Sequence, residues 1–264
     1  MPGRLEGKVA IVTGAASGMG AAAAALFAAE GASVAAFDIN TDGLQTLSDS
    51  HADDLLPVTC DLTSADAVRD GVSQVVERFG QIDVLVNVAG IRLRGDGPWD
   101  ASQDGPVVDI TDEVFDRVMA INMKSQLLTC RYSIPHLLSA GGGSIVNVAS
   151  IGGVFVGSAN AGYCASKGAI VGLTLSLACT YARRGIRANV LCPGLINTPM
   201  TERLVNNPDY AGPYSMVNPL GRFGEAREVA TAALFLASDD SSYLNGLVIP
   251  VDGGALRSPA WAKR

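Results

Sequence analysis

Three observations predict an α/β fold with a seven-stranded parallel sheet covered by helices on both faces. Apolar runs of strand length alternate with helical patterns along nearly the whole chain, and such alternation builds a parallel sheet from strand–helix–strand units. The runs are almost continuously apolar, as strands buried on both faces must be. The first run, Val9 to Val12, opens directly into a glycine-rich turn followed by an alanine-rich helical stretch, the arrangement expected where a sheet presents a helix start to a ligand.

The elements follow in order. Strands are expected at 8–13, 33–38, 55–60, 82–87, 144–149, 187–192 and 247–251, and helices at 17–30, 41–50, 64–79, 111–140, 162–183 and 225–237. Ser64 and Thr111 start their helices with a capping oxygen and an acid in the first turn. The alanines at 21–25 run on into Leu26, Phe27 and a helix-ending Gly31, which reads as a helix packed closely on its neighbours. Two stretches break the alternation: 91–109, with Gly95, Gly97, Pro98, Gly105 and Pro106, and the proline-rich 193–222. Both leave carboxyl ends of strands, where open α/β sheets bind ligands. They are expected to determine the substrate, the second as a lid, while the chemistry is set elsewhere.

A chain of 264 residues with 48% hydrophobic and 17% charged residues fits one domain, 1–264, with a well-buried core. The formal charge of -7 disfavours nucleic acid or an anionic membrane as partner. The amino terminus lacks the apolar segment of a signal peptide, and no apolar run is read as long enough to span a bilayer, so a cytoplasmic protein is expected. Five cysteines, Cys60, Cys130, Cys164, Cys179 and Cys192, form no Cys-x-x-Cys pattern and read as reduced thiols buried as small hydrophobes. With only His51 and His136 as histidines, no metal site is expected.

The chemistry is carried by a few spaced motifs. Tyr163 and Lys167 stand four apart in a helical stretch, about one turn, so both face the same way. An ammonium beside a phenol favours the ionised form and would lower its pKa, making Tyr163 a general acid/base near neutral pH. Ser150 ends an apolar run and can donate a second hydrogen bond to a reacting oxygen. Asn122 is a polar residue inside a strongly apolar helical stretch. Gly14, Gly18 and Gly20 form a Gly-x-x-x-Gly-x-Gly turn between strand and helix, letting backbone N–H groups approach a pyrophosphate. Ser17 and Met19 lie within that turn. Asp38, at the end of the second strand and followed by Ile39, can accept both ribose hydroxyls of NAD and would repel the extra phosphate of NADP. No basic residue accompanies it. Thr41 is read as able to cap the next helix, leaving Asp38 free for the ribose.

Taken together, the glycine turn, Asn87-Val-Ala-Gly90, Asn122, Ser150 and Tyr163-x-x-x-Lys167 resemble the classical short-chain dehydrogenase/reductase family from Lys8 to about Gly254. The resemblance implies a Rossmann-type doubly wound fold, an NAD(P)-dependent oxidoreductase and a catalytic set of Asn122, Ser150, Tyr163 and Lys167. It further implies that Asp61 and Leu62 contact the adenine and that Asn87, Ala89 and Gly90 wall the adenine-side ribose. The segment Pro193, Gly194, Ile196 and Thr198 meets the nicotinamide carboxamide, and Lys167 also binds the nicotinamide ribose. Asn122 holds a relay water. Val88 stands where the family usually has a second asparagine.

The expected activity is interconversion of a secondary alcohol and a ketone, with NAD as cofactor. Ile151, Val154, Phe155, Leu195, Met200, Leu204, Tyr210, Tyr214 and Met216 suggest a small, moderately hydrophobic substrate. Two alternatives stand beside this reading. One is a 3-oxoacyl-thioester (acyl-carrier-protein) reductase; against it, the end of the asparagine helix, Leu137 to Gly143, lacks the basic residues that would dock an acidic carrier. The other is a non-catalytic NAD-binding regulator or scaffold, against which the intact four-residue set counts. A homotetramer is expected from the resemblance, with Gly168, Ala169, Gly172 and Ala178 as small surfaces on the tyrosine helix.

Overall fold

The computed structural model describes residues 3–50, 55–93 and 103–257. His51 and residues 94–102 of the long 91–109 segment, including Gly95, Gly97 and Pro98, lie outside them.

Among the described residues nine strands form in chain order: β1 (Val9–Thr13), β2 (Ser33–Asp38), β3 (Leu55–Thr59), β4 (Val84–Asn87), β5 (Gly143–Val148), β6 (Ile186–Pro193), β7 (Ile196–Asn197), β8 (Gly224–Glu225) and β9 (Val248–Val251). Seven of them make one parallel sheet in the order β3-β2-β1-β4-β5-β6-β9, while β7 and β8 pair separately. The order reverses between β1 and β4, and that switch point opens a crevice at their carboxyl ends. The edge strands β3 and β9 each contain a proline, Pro57 and Pro250.

The helices are α1 (Gly18–Ala29), α2 (Thr41–Asp49), α3 (Ala65–Phe79), α4 (Asp112–Met119), α5 (Ser125–Ser139), α6 (Ala161–Tyr181), α7 (Glu202–Val205), α8 (Pro208–Val217) and α9 (Ala226–Ala237). Successive strand residues point to opposite faces, so each strand feeds two cores. Ala10, Val12, Val34, Ala36 and Val86 pack with α1 and α9, whereas Ile11, Ala35, Phe37, Leu85 and Ile145 pack with α3, α5 and the far end of α6. Ala23 and Ala24 are fully buried where α1 runs along α9, which explains the alanine run: larger side chains would hold the two helices apart.

The sequence-based boundaries need few changes, each with a local cause. Ser64 and Thr111 accept from Ala67 N–H and Val114 N–H as expected. The helix expected at 111–140 is interrupted at Ala120–Lys124 by a π-turn in which Ser125 N–H reaches back to Ala120 O; π-turns concentrate at functional sites. The 193–222 segment holds α7 and α8. The helix after Asp38 is capped by Asn40, which accepts from Gly43 N–H, and not by Thr41. Two expectations fail outright. Cys179 is exposed and Cys164 half-buried rather than both buried. By length and composition the helix from Ala161 to Arg184 is also apolar enough to cross a membrane, although it packs against β6 and α4.

Candidate active site

The crevice at the β1/β4 switch point is a cleft of about 700 Å³. Its floor follows from the glycine turn: Gly14 and Gly18 take φ values of 68° and 53°, which side chains disfavour, and a Cβ on Gly20 would collide with the Gly14 carbonyl. Ser17 precedes α1 without spending its side chain on a cap hydrogen bond, so the first N–H groups of α1 face the cleft with no capping oxygen. An uncapped helix start over a side-chain-free floor suits a pyrophosphate, and the residues present therefore fit a dinucleotide.

Twelve residues expected to contact the cofactor line this cleft: Gly14, Ser17, Gly18, Met19, Gly20, Asp38, Ile39, Asp61, Leu62, Ala89, Gly90 and Thr198. Asp38 is held rigidly, its carboxylate accepting from Ala16 N–H at 3.0 Å and Asn40 N–H at 2.9 Å. A carboxylate offers about four acceptor positions, so two remain for a ligand. Ile39 is exposed beside it at 69%. Asp61 accepts from the N–H and hydroxyl of Thr63.

Other expected contacts lie elsewhere. Asn87 is fully buried beneath the cleft: its Oδ1 accepts from the Thr129 hydroxyl and its Nδ2 donates to Asn147, so its side chain does not form a wall. Pro193 O accepts from Ile151 N–H, and Gly194 N–H donates to Val251 O, so these two backbone groups join β6 to its surroundings. Ile196 packs in the core, and its carbonyl accepts from the Thr201 hydroxyl. Among the expected substrate walls, Met200 lines the cleft. Tyr214 is committed elsewhere, its ring tilted on Phe223 and its hydroxyl accepting from Asn218 Nδ2. Leu195 lines a separate hollow with Phe223 and Pro250.

The catalytic candidates converge at the carboxyl end of β5. Ser150 follows that strand and lies on the same side of Gly152 as the Tyr163 ring, where it helps hold the phenol's pKa down, while its own Oγ accepts from Gly152 N–H. Lys167 is 4% exposed and donates from Nζ to Val148 O at 3.2 Å. Burial drives its pKa down to about 8. The ammonium lies 5.6 Å from the Tyr163 ring centroid. A Cβ on Gly90 would come within 3.4 Å of that ammonium, so Gly90 permits the close approach. Asn122 is buried and spends its side chain on the backbone, accepting from Ile91 N–H at 2.7 Å and donating to Ile91 O and Ser166 Oγ, each at 3.0 Å.

One expectation is corrected. Burial holds the Tyr163 phenol above its ordinary value, and the influences that oppose burial are the Ser150 hydrogen bond and then the positive charge of Arg92. Lys167, which lies at the ring and donates to the Val148 carbonyl, is not among them.

The first turn of the helix that carries Tyr163 has an unexpected partner. Asp104, 1% exposed, accepts from Gly162 N–H at 2.9 Å and Tyr163 N–H at 2.7 Å. Hydrogen bonds to a charged group contribute about 1.5–3 kcal/mol each, and a carboxylate also favours the positive helix start. Asn160 leaves the capping role to Asp104, donating instead to Asp104 O at 2.6 Å and accepting from Arg92 Nη2 at 3.0 Å. Thr13, at the end of β1, accepts from Val88 N–H and Ala89 N–H, and so fixes the ribose side of the cleft. Neither Asp104 nor Arg92 belongs to any periodic pattern or motif. Thr13 immediately precedes the glycine turn, a position that could have identified it.

Comparison with known proteins agrees with this geometry. The family model described as enoyl-(acyl carrier protein) reductase matches residues 14–255. The chain is 41% identical over 255 residues to the 3-oxoacyl-(acyl-carrier-protein) reductase FabG of Thermotoga maritima, covering 95% of this chain and 98% of that protein. It is 36% identical over 254 residues to the D-threitol dehydrogenase of Mycolicibacterium smegmatis, covering 95% and 94%. The crystal structure of levodione reductase superposes with a TM-score of 0.88 at 34% identity, covering 97% of this chain and 100% of that one. A doubly wound sheet, a dinucleotide-shaped cleft at its switch point and near-full-length relatives of this kind lead to one conclusion: the chain belongs to the short-chain dehydrogenase/reductase family of oxidoreductases, which use a nicotinamide dinucleotide.

Proposed function

We propose that the protein is an NAD(H)-dependent oxidoreductase interconverting a small secondary alcohol and the corresponding ketone. The observation that carries this reading is the meeting of Ser150, Tyr163 and Lys167 at the end of β5, beside the cleft lined by Gly14, Asp38 and Gly90. Bound in that cleft, the nicotinamide dinucleotide supplies or accepts the hydride.

The chain's own residues handle the proton. In the reducing direction the Tyr163 phenol protonates the substrate oxygen while Ser150 donates a second hydrogen bond, so the developing alkoxide meets two donors. In the oxidising direction Tyr163, as phenolate, takes the hydroxyl proton. Lys167 lies against the phenol ring, and the charge of Arg92 opposes the effect of burial on the phenol. The reading of NAD rests on Asp38, which has acceptor positions left for two ribose hydroxyls and no cation at its sequence neighbours Ile39 and Asn40 for a phosphate.

The substrate reading draws on relatives named for butanediol, threitol and levodione, each with a second oxygen function. A small diol or hydroxyketone is therefore the first class to test. The 41% identity to a 3-oxoacyl-thioester reductase favours including a 3-hydroxyacyl thioester as the competing class. Purified protein is offered NAD or NADP with a panel of diols, cyclic alcohols and 3-hydroxyacyl thioesters, and reduced cofactor is followed by its absorbance. Turnover with NAD and a diol is expected. Preference for NADP would defeat the reading of Asp38, preference for the thioester would replace the substrate class, and cofactor binding without turnover on any substrate would favour a regulator.

A further inference from the structure

The residues at 103–109, at the carboxyl end of the segment expected to govern substrate choice, reach into the catalytic helix. Asp104 is buried, and both its carboxylate oxygens accept from the backbone of α6, one of them from Tyr163 itself. The same junction is tied twice more: Ala161 N–H donates to Gly105 O at 3.1 Å, and Asn160 Nδ2 donates to Asp104 O. Asn160 also anchors Arg92, which leaves the other end of the segment just past Gly90. Among the described residues Arg92 Nε is buried without a hydrogen-bond partner, and its Nη2 donates to Asn160. Two ends of one segment, far from α6 in sequence, thus meet at the residue preceding its first turn.

We propose that Asp104, Asn160 and Arg92 are positioning residues for the proposed reaction: Asp104 and Asn160 seat the first turn of α6 so that the Tyr163 phenol meets Ser150, and Arg92 is seated by the same network. The geometry supports this in two ways. The amide of Tyr163 is one of those Asp104 holds, so releasing the carboxylate frees the backbone that carries the phenol. Asn160 has no intrahelical cap bond to fall back on, so α6 has no local substitute for Asp104. The groups acting on the phenol are Ser150, Arg92, Cys164 and Cys192, with Lys167 at the ring; of these only Arg92 belongs to the segment. The proposal rests on the oxidoreductase reading for its kinetic consequence, though not for its structural one.

The test separates the two. Asp104→Asn, which cannot accept from both amides, and Asn160→Ala are compared with the unmodified protein by hydrogen–deuterium exchange, NADH titration and steady-state kinetics. Exchange at residues 161–164 should rise at least about tenfold in either variant, with NADH affinity within twofold. kcat should fall about tenfold to a hundredfold, with little change in the substrate KM. Arg92→Gln should raise the apparent pKa of the alkaline limb of kcat while leaving exchange in α6 nearly unchanged. Unchanged exchange and kcat in a folded Asp104→Asn protein would overturn the proposal, as would a kcat that falls only in step with NADH affinity. If Asp104→Asn does not fold, Asn160→Ala decides on the same readouts. An increase in exchange in a protein that turns over no alcohol even when unmodified would sustain the seating role and defeat the oxidoreductase reading.

Discussion

The two ends of the ligand crevice are built differently. At the cofactor end the surface is backbone: a glycine turn, an uncapped helix start, and an aspartate held by the amides of Ala16 and Asn40, residues near it in sequence or space. At the catalytic end the surface is side chains, and their placement depends on partners far along the chain: the Asn122 side chain is held by Ile91 and the backbone amide of Tyr163 by Asp104. Backbone sites depend on a few residues and their spacing, whereas side-chain sites depend on how the rest of the chain folds around them. The cofactor end should therefore tolerate change outside its motif, and the catalytic end should be disturbed from a distance.

The largest effect expected is that of Tyr163→Phe. Removing the only proposed proton carrier should reduce kcat by roughly 10³-fold and leave NADH affinity unchanged, measured by turnover and fluorescence titration. A variant that retains turnover would erase the distinction between the two ends.

Lys167→Met should also cost about a hundredfold in kcat, yet its effect on stability runs the other way. Burial lowers the Lys167 pKa from 10.5 to about 8, so between those values the unfolded chain binds a proton that the folded chain has released. The group's contribution to stability is therefore unfavourable below about 8 and improves as pH rises toward 10.5. At pH 7 the Met variant should melt no lower than the unmodified protein, and its advantage should shrink on raising the pH. Melting curves at pH 7 and 9.5 decide this.

If Tyr163 carries the proton as proposed, its phenol, raised by burial, should set the pH dependence of turnover. Ketone reduction needs the protonated phenol, which is fully present below its pKa and lost above it, whereas alcohol oxidation needs the phenolate. Oxidation should climb with pH through the alkaline range and reduction should fall. Parallel profiles in the two directions would exclude Tyr163 as the shared proton carrier.

Asp38→Ala is expected to be smaller and confined to the other end. Loss of the ribose acceptor and of its negative charge should narrow the preference for NAD over NADP by about tenfold, read from the two specificity constants, with the pH profile unmoved. A shifted profile would show that the ends communicate. Assembly should matter least to chemistry. We expect a homotetramer, and Gly172, exposed with open space around it, is the test position, since Ala178 is buried in the core. Gly172→Trp should lower the mass found by light scattering.

The sheet was legible because most of its strands are covered on both faces, so the apolar runs mark them within one or two residues. The residue types of the site were legible wherever spacing alone carries the chemistry, as for Tyr163 and Lys167. What was not legible was long-range capping. Asp104 lies in an irregular stretch without periodicity, and the oxygen that satisfies α6 comes from more than fifty residues upstream. The π-turn escaped for a related reason: Ala120 to Lys124 has ordinary helical composition, and the demand that Asn122 face the backbone of Ile91 comes from another strand's exit. The tyrosine's electrostatics were misread because spacing locates Lys167 near Tyr163 without saying how deeply the phenol is buried, and burial is what raises its pKa.

The prolines at the two rims of the sheet bear on how the molecule lives among its copies. An edge strand ordinarily presents a row of free amide donors that invites another chain to dock and continue the sheet. Pro57 and Pro250 each remove a donor from the middle of that row and fill its place with a ring. Strand-to-strand growth, the route to fibrils and swapped sheets, is therefore interrupted at both ends. If the expected homotetramer forms, its contacts should therefore fall on the helical surfaces, where they can close into a finite particle.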